Sequence, residues 1–440
     1  MHPATPGAID QPPHASPSDT LRDRVYRKAF WRLIPFLMVC YAIAYLDRVN
    51  IGFAKLGMSA DLGLSEGVYG LGAGIFFVGY FLFEVPSNAM LHRLGARTWI
   101  TRIMLTWAII SGACAFIDGP VSFYVARFML GIAEAGFFPG IILYLTYWFP
   151  ASRRGKIIAI FMIAIPLAGL VGAPLSGTIM TWFDGAHGWA GWRWMFLLEA
   201  APALLLGLCL PFILSSRVDD AKWLSNEEKA MIAADLEGEA RGQAIGHARL
   251  RDLIGDPLVV RLAFIYFCCI MGQYGITFWL PTLVASAGHG SPLVTGLLSA
   301  LPYACAVVVM PLVCGHSDRT GERHWHLVLP MAIGGIAMLV ATLVSSSIVV
   351  SMAVLCVATA ATLTATPMFW TLPTGVMRGQ AAAVGIAAIN SIGNVAGFAS
   401  PSVVGFVNDR TGSPIAGMAI LTLMLLGGGA MVLSLSRPRA

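Results

Sequence analysis

The sequence predicts an all-α integral membrane protein with twelve transmembrane helices in two six-helix halves, and three observations carry that expectation. Of 440 residues, 57% are hydrophobic and only 12% are charged, about half the charged share of a typical soluble domain. Apolar stretches of about 20 residues recur along the chain, the length a helix needs to cross the hydrocarbon core of a bilayer. A short loop pattern also occurs once in each half of the chain, as a duplicated unit would leave it.

Residues 1–20 contain Pro, Ser and His with no apolar run, and are expected to form a disordered cytoplasmic tail. The first apolar stretch starts too late for a cleavable signal peptide, so none is expected. Residues 21–32, LRDRVYRKAFWR, read either as a basic amphipathic helix on the inner membrane surface or as a charged stop before the first span. Within the first half, 21–214, apolar spans fall near 33–54, 68–88, 97–117, 121–147, 156–180 and 193–214. A polar cytoplasmic linker, 215–256, carries the helix-like stretch KWLSNEEKAMIAADLEGEA. The second half, 257–436, repeats the layout near 258–285, 293–315, 325–345, 349–372, 382–407 and 413–435.

Of the 28 lysines and arginines, 22 fall in the N-terminal segment, alternate loops and the C-terminus, while only Lys55, Arg193 and Arg410 fall on the other side. By the positive-inside rule both termini and the linker are expected to be cytoplasmic, in a multi-pass protein of the cell (inner) membrane. The eight cysteines, Cys40, Cys114, Cys209, Cys268, Cys269, Cys305, Cys314 and Cys356, all lie in apolar stretches without paired metal spacing. They read as reduced, buried small hydrophobes.

Charges inside the spans carry the functional signal. Asp47 and Arg48 lie in the first span, Arg127 and Glu134 in the fourth. A charge at bilayer depth costs several kcal/mol, so it faces a protein interior or a wet cavity and marks a substrate or ion pathway. At 100° per residue Tyr41, Tyr45 and Arg48 share one helix face, as do Arg127, Gly131 and Glu134. Arginine suits a carboxylate because its planar fork holds both oxygens and keeps its proton. Tyr80, one turn from Glu84, adds a hydroxyl. Gln273 on the seventh span and Asn390 and Asn394 on one face of the eleventh add neutral amides, with Trp370 as a wall of the site or a packing residue. Tyr41, Tyr45 and the two asparagines also read as interhelical packing and hydrogen-bond glue, Arg127 and Glu134 as a static pair, and Glu84 as a gating or structural group. Asp47 and Glu134 read as the only carboxylates near mid-span in the first half. Burial favours the protonated acid and a nearby arginine favours the carboxylate, so both are candidates for proton coupling alongside Arg127.

The repeated loop reads NAMLHRLGAR at 88–97 and CGHSDRTGER at 314–323. The second copy matches the Asp-Arg-x-Gly-x-Arg signature of the major facilitator superfamily, which the chain resembles. The first copy has His92 where that superfamily usually has Asp. Asp318, Arg319 and Arg323, with Arg93 in the first copy, are therefore the gating candidates. YLDRVN at 45–50, EVPSN at 84–88, Arg127-Phe128 with Gly131, Glu134 and Gly136, GWRWMF at 191–196 and NSIGN at 390–394 together resemble the anion:cation symporter family over nearly all of 30–435. FWTLPT at 369–374 and the alanine-rich stretch before Asn390 look most like its tartrate and aromatic-acid branch.

That resemblance implies secondary active import of a small organic anion, a dicarboxylate or a sugar acid such as tartrate, by proton symport with alternating access. Uptake of an aromatic carboxylate, an organic-anion exchanger and a transporter-like sensor are the alternatives. The expected partners are the organic anion, protons as coupling ion and the lipid bilayer, with a functional monomer, no cofactor and no nucleic acid. An organophosphate exchanger would be expected to set arginines on both halves, whereas the seventh span offers Gln273. A drug exporter has no evident need of two buried arginines. An enzyme is not expected, because the one local histidine cluster, His316, His324 and His326, sits at a loop and no acid or cysteine arrangement completes a metal or nucleophile site.

Overall fold

Lipid on one side and protein on the other leave little room for polar helix faces, and the chain answers with long, almost uniformly apolar helices. The computed structural model describes residues 17–242, 256–288, 290–344, 347–376 and 379–435. Most of the tail expected over 1–20 and the linker residues 243–255 lie outside the described residues.

The first span is α1 (Pro17–Val49) followed by α2 (Ile51–Asp61), with an interruption at Asn50. The segment 21–32 is thus the opening of the first span helix and not a separate surface helix, and residues 17–20 already belong to it. Next come α3 (Glu66–Leu94) and α4 (Ala96–Ala113). The fourth span is divided into α5 (Pro120–Glu134) and α6 (Phe137–Thr146), and the fifth into α7 (Ala151–Met162) and α8 (Ala164–Trp182). The first half closes with α9 (Gly191–Ile213), and α10 (Asn226–Gly242) lies in the linker. In the second half each span is one helix: α11 (Pro257–Gly288), α12 (Pro292–Thr320), α13 (Trp325–Leu343), α14 (Ile348–Val376), α15 (Gly379–Thr411) and α16 (Pro414–Leu433). Among the described residues eleven stretches are long and apolar enough to cross a membrane. The twelfth long helix, α15, packs against α3, α11 and α16.

Local chemistry sets the boundaries. Ser65 and Ser291 open α3 and α12, and each side chain accepts a hydrogen bond from the backbone N–H three residues on. Gly95 and Gly321, the glycines of the repeated loop, end the same two helices with φ of 85° and 71°, a backbone region where a Cβ is strained. The break in the fourth span falls at Ala135, which is extended, and Gly136, which has φ 83°. Pro139 lacks the N–H that would continue the ladder there, as Pro166 does after the break at Ile163.

The halves meet mainly along α3 against α15 and α8 against α12. Small residues make that approach possible: a Cβ at Gly70 would meet the Pro401 carbonyl, and one at Gly177 the Pro292 carbonyl. Polar ties close the end that bears the turns after α2, α11 and α15, hereafter the turn end. Asp409 accepts from Ser65 Oγ (2.7 Å) and Gly67 N (2.8 Å), and Thr181 Oγ1 accepts from Leu293 N (2.9 Å). The linker clings to the first half through Arg22–Asp235 (3.1 Å), Lys28–Glu228 (2.8 Å) and stacking of Trp223 on Trp148. The cysteines are all free thiols, but Cys209 is exposed and Cys305, Cys314 and Cys356 are only half-buried, because those helix faces look outward from the bundle.

Within the first half α3 and α5 touch backbone to backbone at Gly131, where an added Cβ would fall on the Phe76 carbonyl. Backbone cannot step aside as a flexible side chain can, so Gly131→Ala should destabilise by about 1–3 kcal/mol. Gly427→Ala, at a helical position facing open space, should be neutral or slightly stabilising. Thermal unfolding of the two purified variants in detergent checks the contrast.

Candidate substrate site

Arg48 and Glu134 come together where two of the three broken spans of the first half, the first and the fourth, converge. Arg48 closes α1, Glu134 closes α5, and the guanidinium Nη2 makes a direct ion pair with Glu134 Oε1. Arg48 is 8% exposed and Glu134 1%. The other terminal nitrogen, Nη1, donates to the Tyr274 hydroxyl of the second half (3.2 Å). The guanidinium also lies over the rings of Phe76 (5.3 Å) and Tyr80 (5.5 Å), an arrangement in which aromatic faces stabilise the cation.

Arg127 shares Phe76 with Arg48, its guanidinium carbon 4.9 Å from the same ring centroid. It is fully buried and donates weakly to the Ala73 carbonyl (3.5 Å). Its Nε and Nη1, together with Arg48 Nε and Glu134 Oε2, have no hydrogen-bond partner among the described residues. Buried N–H groups of a cation left unsatisfied are costly, and an anionic oxygen is the natural acceptor for them. Glu134 and Arg127 share a helix face, yet the acid pairs with Arg48 of another helix.

The other candidates sort into distinct environments. Gln273 donates to the Tyr45 hydroxyl (3.3 Å) and accepts from Thr366 (2.6 Å), tying α1, α11 and α14 together. Beside it lies a cavity of about 10 Å³, lined in part by Met162, Ile165, Met310 and Thr366, room for about one water. Asn390 and Asn394 both donate to Glu84, at 3.1 and 2.7 Å. In this conformation they act as a tie between α15 and α3, with Glu84 at the interface of the halves. Tyr80 is buried beside Arg48. Trp370 packs on Tyr266 and Phe369, and Tyr41 stacks on Phe161 at 4.8 Å.

Asp47 departs from expectation. It pairs with neither arginine, since the next residue along the helix points about 100° away. Its Oδ2 accepts from Trp107 Nε1 (2.7 Å), and Asn50 lies at 3.4 Å from Oδ1. A third buried carboxyl, Glu199 on α9, is missing from the sequence-based pair of mid-span acids; it is 1% exposed and accepts from Ser176 (2.6 Å) and Asn50 (3.0 Å). An acid inside the apolar run WMFLLEAAP was the available signal. Tyr274 was also missed, being one of many span aromatics with nothing in its spacing to mark it.

At the loop that ends α12, Arg323 pairs with Asp318 (2.6 Å) and Ser317 (3.0 Å). Asp318 thus takes Arg323 rather than the exposed Arg319, and Arg93 is exposed at the end of α3. Among the described residues no ion pair joins this loop to the first half. At the turn end Lys55 pairs with Glu66 (2.8 Å), donates to Thr282 (3.4 Å) and sits 4.1 Å from the Trp279 ring centroid, so one cation bridges both halves.

Comparison with known proteins places this geometry in context. Residues 37–401 match the family model described as Major Facilitator Superfamily. The chain is 46% identical over 422 residues, 96% of this chain and 93% of the other, to a candidate tartrate transporter of Agrobacterium vitis. It is 45% identical over 412 residues, 93% and 94% of the two chains, to a candidate metabolite transport protein, NicT, of Pseudomonas putida. A solved bacterial homolog of the human lysosomal transporter Spinster, in an inward-facing and occupied conformation, aligns with TM-score 0.74 at 16% identity over 93% of this chain and 96% of that one. At that identity the likeness is one of fold.

Removing one partner of a buried ion pair strands the other charge, at a cost of about 3–5 kcal/mol, whereas removing both is far milder. Glu134→Gln should therefore lower the thermal midpoint of the purified protein markedly, and the double change Glu134→Gln with Arg48→Gln should recover most of the loss. Equal loss in both variants would show that the pair is not the stabilising unit.

Proposed function

Because the chain belongs to the Major Facilitator Superfamily, we propose that this transporter imports a small organic anion, a dicarboxylate or sugar acid of the tartrate type, by proton symport. The observation that carries the reading is the buried Arg48–Glu134 pair with the unpartnered N–H groups of Arg127 beside it. A carboxylate substrate and Glu134 compete for one guanidinium. Protonation of Glu134 from the outside releases Arg48, whose fork then takes the substrate carboxylate while Arg127 supplies further N–H donors and Tyr80 and Tyr274 flank the charge. On the inside the substrate leaves, the proton follows, and Glu134 closes again on Arg48. The description of a relative 46% identical as a candidate tartrate transporter supports the substrate class.

Alternating access fits the distribution of ties between the halves. The turn end is held by Asp409, Lys55 and Thr181, and mid-depth by Glu84 with Asn390 and Asn394. With both termini cytoplasmic the turn end faces outside, and the cavity beside Gln273, at about 10 Å³, cannot take an organic acid until the halves part. Rocking of one half on the other, with Asp318, Arg319, Arg323 and Arg93 at the inner loops, would provide that opening. The protein works as a monomer in the inner membrane and needs no cofactor.

A second reading has its own support. Phe76, Tyr80 and Tyr274 surround the Arg48 guanidinium, and Phe77 packs behind them with its ring centroid 4.5 Å from that of Tyr274. Such a wall suits an aromatic carboxylate, which would use the same cation and the same proton. Competition between tartrate and benzoate for uptake separates the two.

Three outcomes test the proposal. Arg48→Ala should abolish binding measured by calorimetry, and Arg48→Lys should lose about tenfold or more because the bidentate fork is gone. Affinity should rise as pH falls, until the substrate's own carboxylates are neutralised and the trend reverses. In proteoliposomes an inward pH gradient, acid outside, should drive accumulation of tartrate without sodium. Uptake that needs sodium and ignores the pH gradient overturns proton symport, exchange without net uptake points to an exchanger, and binding without flux points to a sensor.

A further inference from the structure

Behind Arg48, away from the halves' interface, a second polar cluster is buried among α1, α4, α8 and α9. Its members are Asp47, Asn50, Trp107, Ser176 and Glu199, and both acids are 1% exposed. Glu199 receives Ser176 Oγ at one oxygen (2.6 Å) and Asn50 Nδ2 at the other (3.0 Å). The same Asn50 nitrogen is 3.4 Å from Asp47 Oδ1, and Trp107 Nε1 donates to Asp47 Oδ2 (2.7 Å). Neither acid forms an ion pair among the described residues. Asn50 Oδ1, buried in the same place, has no donor among the described residues.

Two carboxyl groups sharing one amide in an apolar interior cannot both keep a negative charge at reasonable cost when every donor around them is neutral. A proton on either acid removes one charge and adds a donor, which, with the amide turned, can meet the orphaned Asn50 oxygen. We propose that Asp47 and Glu199, bridged by Asn50, form a second proton-binding site, distinct from the arginine-paired Glu134. Glu199 is its new member. As a coupling site it rests on the proton-symport reading above; as a proton site it rests on the geometry alone.

The location gives the proton something to move. Asn50 is the interruption between α1 and α2, and α2 carries Lys55, whose ammonium reaches Thr282 and the Trp279 ring of the other half. A proton at the pair changes the hold of Asp47 and Glu199 on Asn50, and with it the joint from which the turn-end contact projects. Other titratable groups face the pair through Asp47: Glu134 of α5 and Cys114 beyond α4 both interact with it electrostatically. Serines contribute from α4 (Ser111) and α8 (Ser176).

Infrared difference spectroscopy of the purified, substrate-free protein tests the proton site without transport. The wild type should show the carbonyl stretch of a protonated, buried carboxyl at neutral pH. That band should be lost in Glu199→Gln or in Asp47→Asn and persist in Glu134→Gln. No such band in the wild type between pH 5 and 9, or one that survives both substitutions, overturns the proposal even if a variant folds poorly. In proteoliposomes with a trapped pH dye, Glu199→Gln should lower the ratio of acid-driven tartrate accumulation to tartrate exchange by about tenfold, a typical coupling free energy, and should change the number of protons carried per tartrate. Wild-type uptake that ignores the pH gradient while the band behaves as stated would refute proton symport and leave the proton site. Gradient-driven uptake unaltered in Glu199→Gln would instead refute its part in coupling.

Discussion

A charge held at bilayer depth must find its opposite, and the Arg48–Glu134 pair is where this molecule meets that demand. Water cannot solvate either group there, and either one alone would cost several kcal/mol. The requirement brings the end of α1 against the end of α5, and both helices are interrupted just beyond the charged residue, at Asn50 and at Ala135–Gly136. Interrupted helices are tolerated at membrane depth where the freed backbone is buried in protein or lines a cavity. The ion pair and the breaks are thus two aspects of one construction.

Around that pair the second half is joined by neutral groups. Tyr274, Gln273, Asn390 and Asn394 reach across the interface through hydroxyls and amides, and the acceptors they meet include Glu84 and Tyr45. Such hydrogen bonds are worth about 0.5–1.5 kcal/mol net between neutral partners and about 1.5–3 kcal/mol where one partner is charged, as at Glu84 and Arg48, so each tie is modest taken singly. The buried ion pair lies in the first half, while the interface of the halves carries hydrogen bonds and close-packed glycines. Lys55 and Asp409 add charged groups at the turn end, where Lys55 meets an aromatic ring and a hydroxyl and Asp409 a hydroxyl and a backbone N–H.

The arrangement of acids separates two environments that a linear reading runs together. Glu134 faces a cation, whereas Asp47 and Glu199 face indole, amide and hydroxyl donors. The first acid is held against Arg48, and the other two against the joint at Asn50. Adjacent residues on a helix point about 100° apart, which is how Asp47 and Arg48 come to serve different neighbourhoods.

The sequence by itself determined the membrane class, the repeated halves and the presence of buried charge. Each of these rests on composition, hydrophobic run length or a local loop pattern, and the glycines of that loop, Gly95 and Gly321, do end corresponding helices. It also placed Arg48, Arg127, Glu134, Gln273 and the two asparagines on helix faces, because periodicity along one helix is a local property. Which face meets which was decided only by tertiary structure. That Arg48 takes Glu134, that both asparagines take Glu84, that Asp47 turns to Trp107, and that Glu199 and Tyr274 belong to the polar interior all depend on how helices far apart in sequence are rotated against one another. Burial without a cation, and pairing across 86 residues for Arg48 and Glu134, are properties of packing, and no single helix carries them.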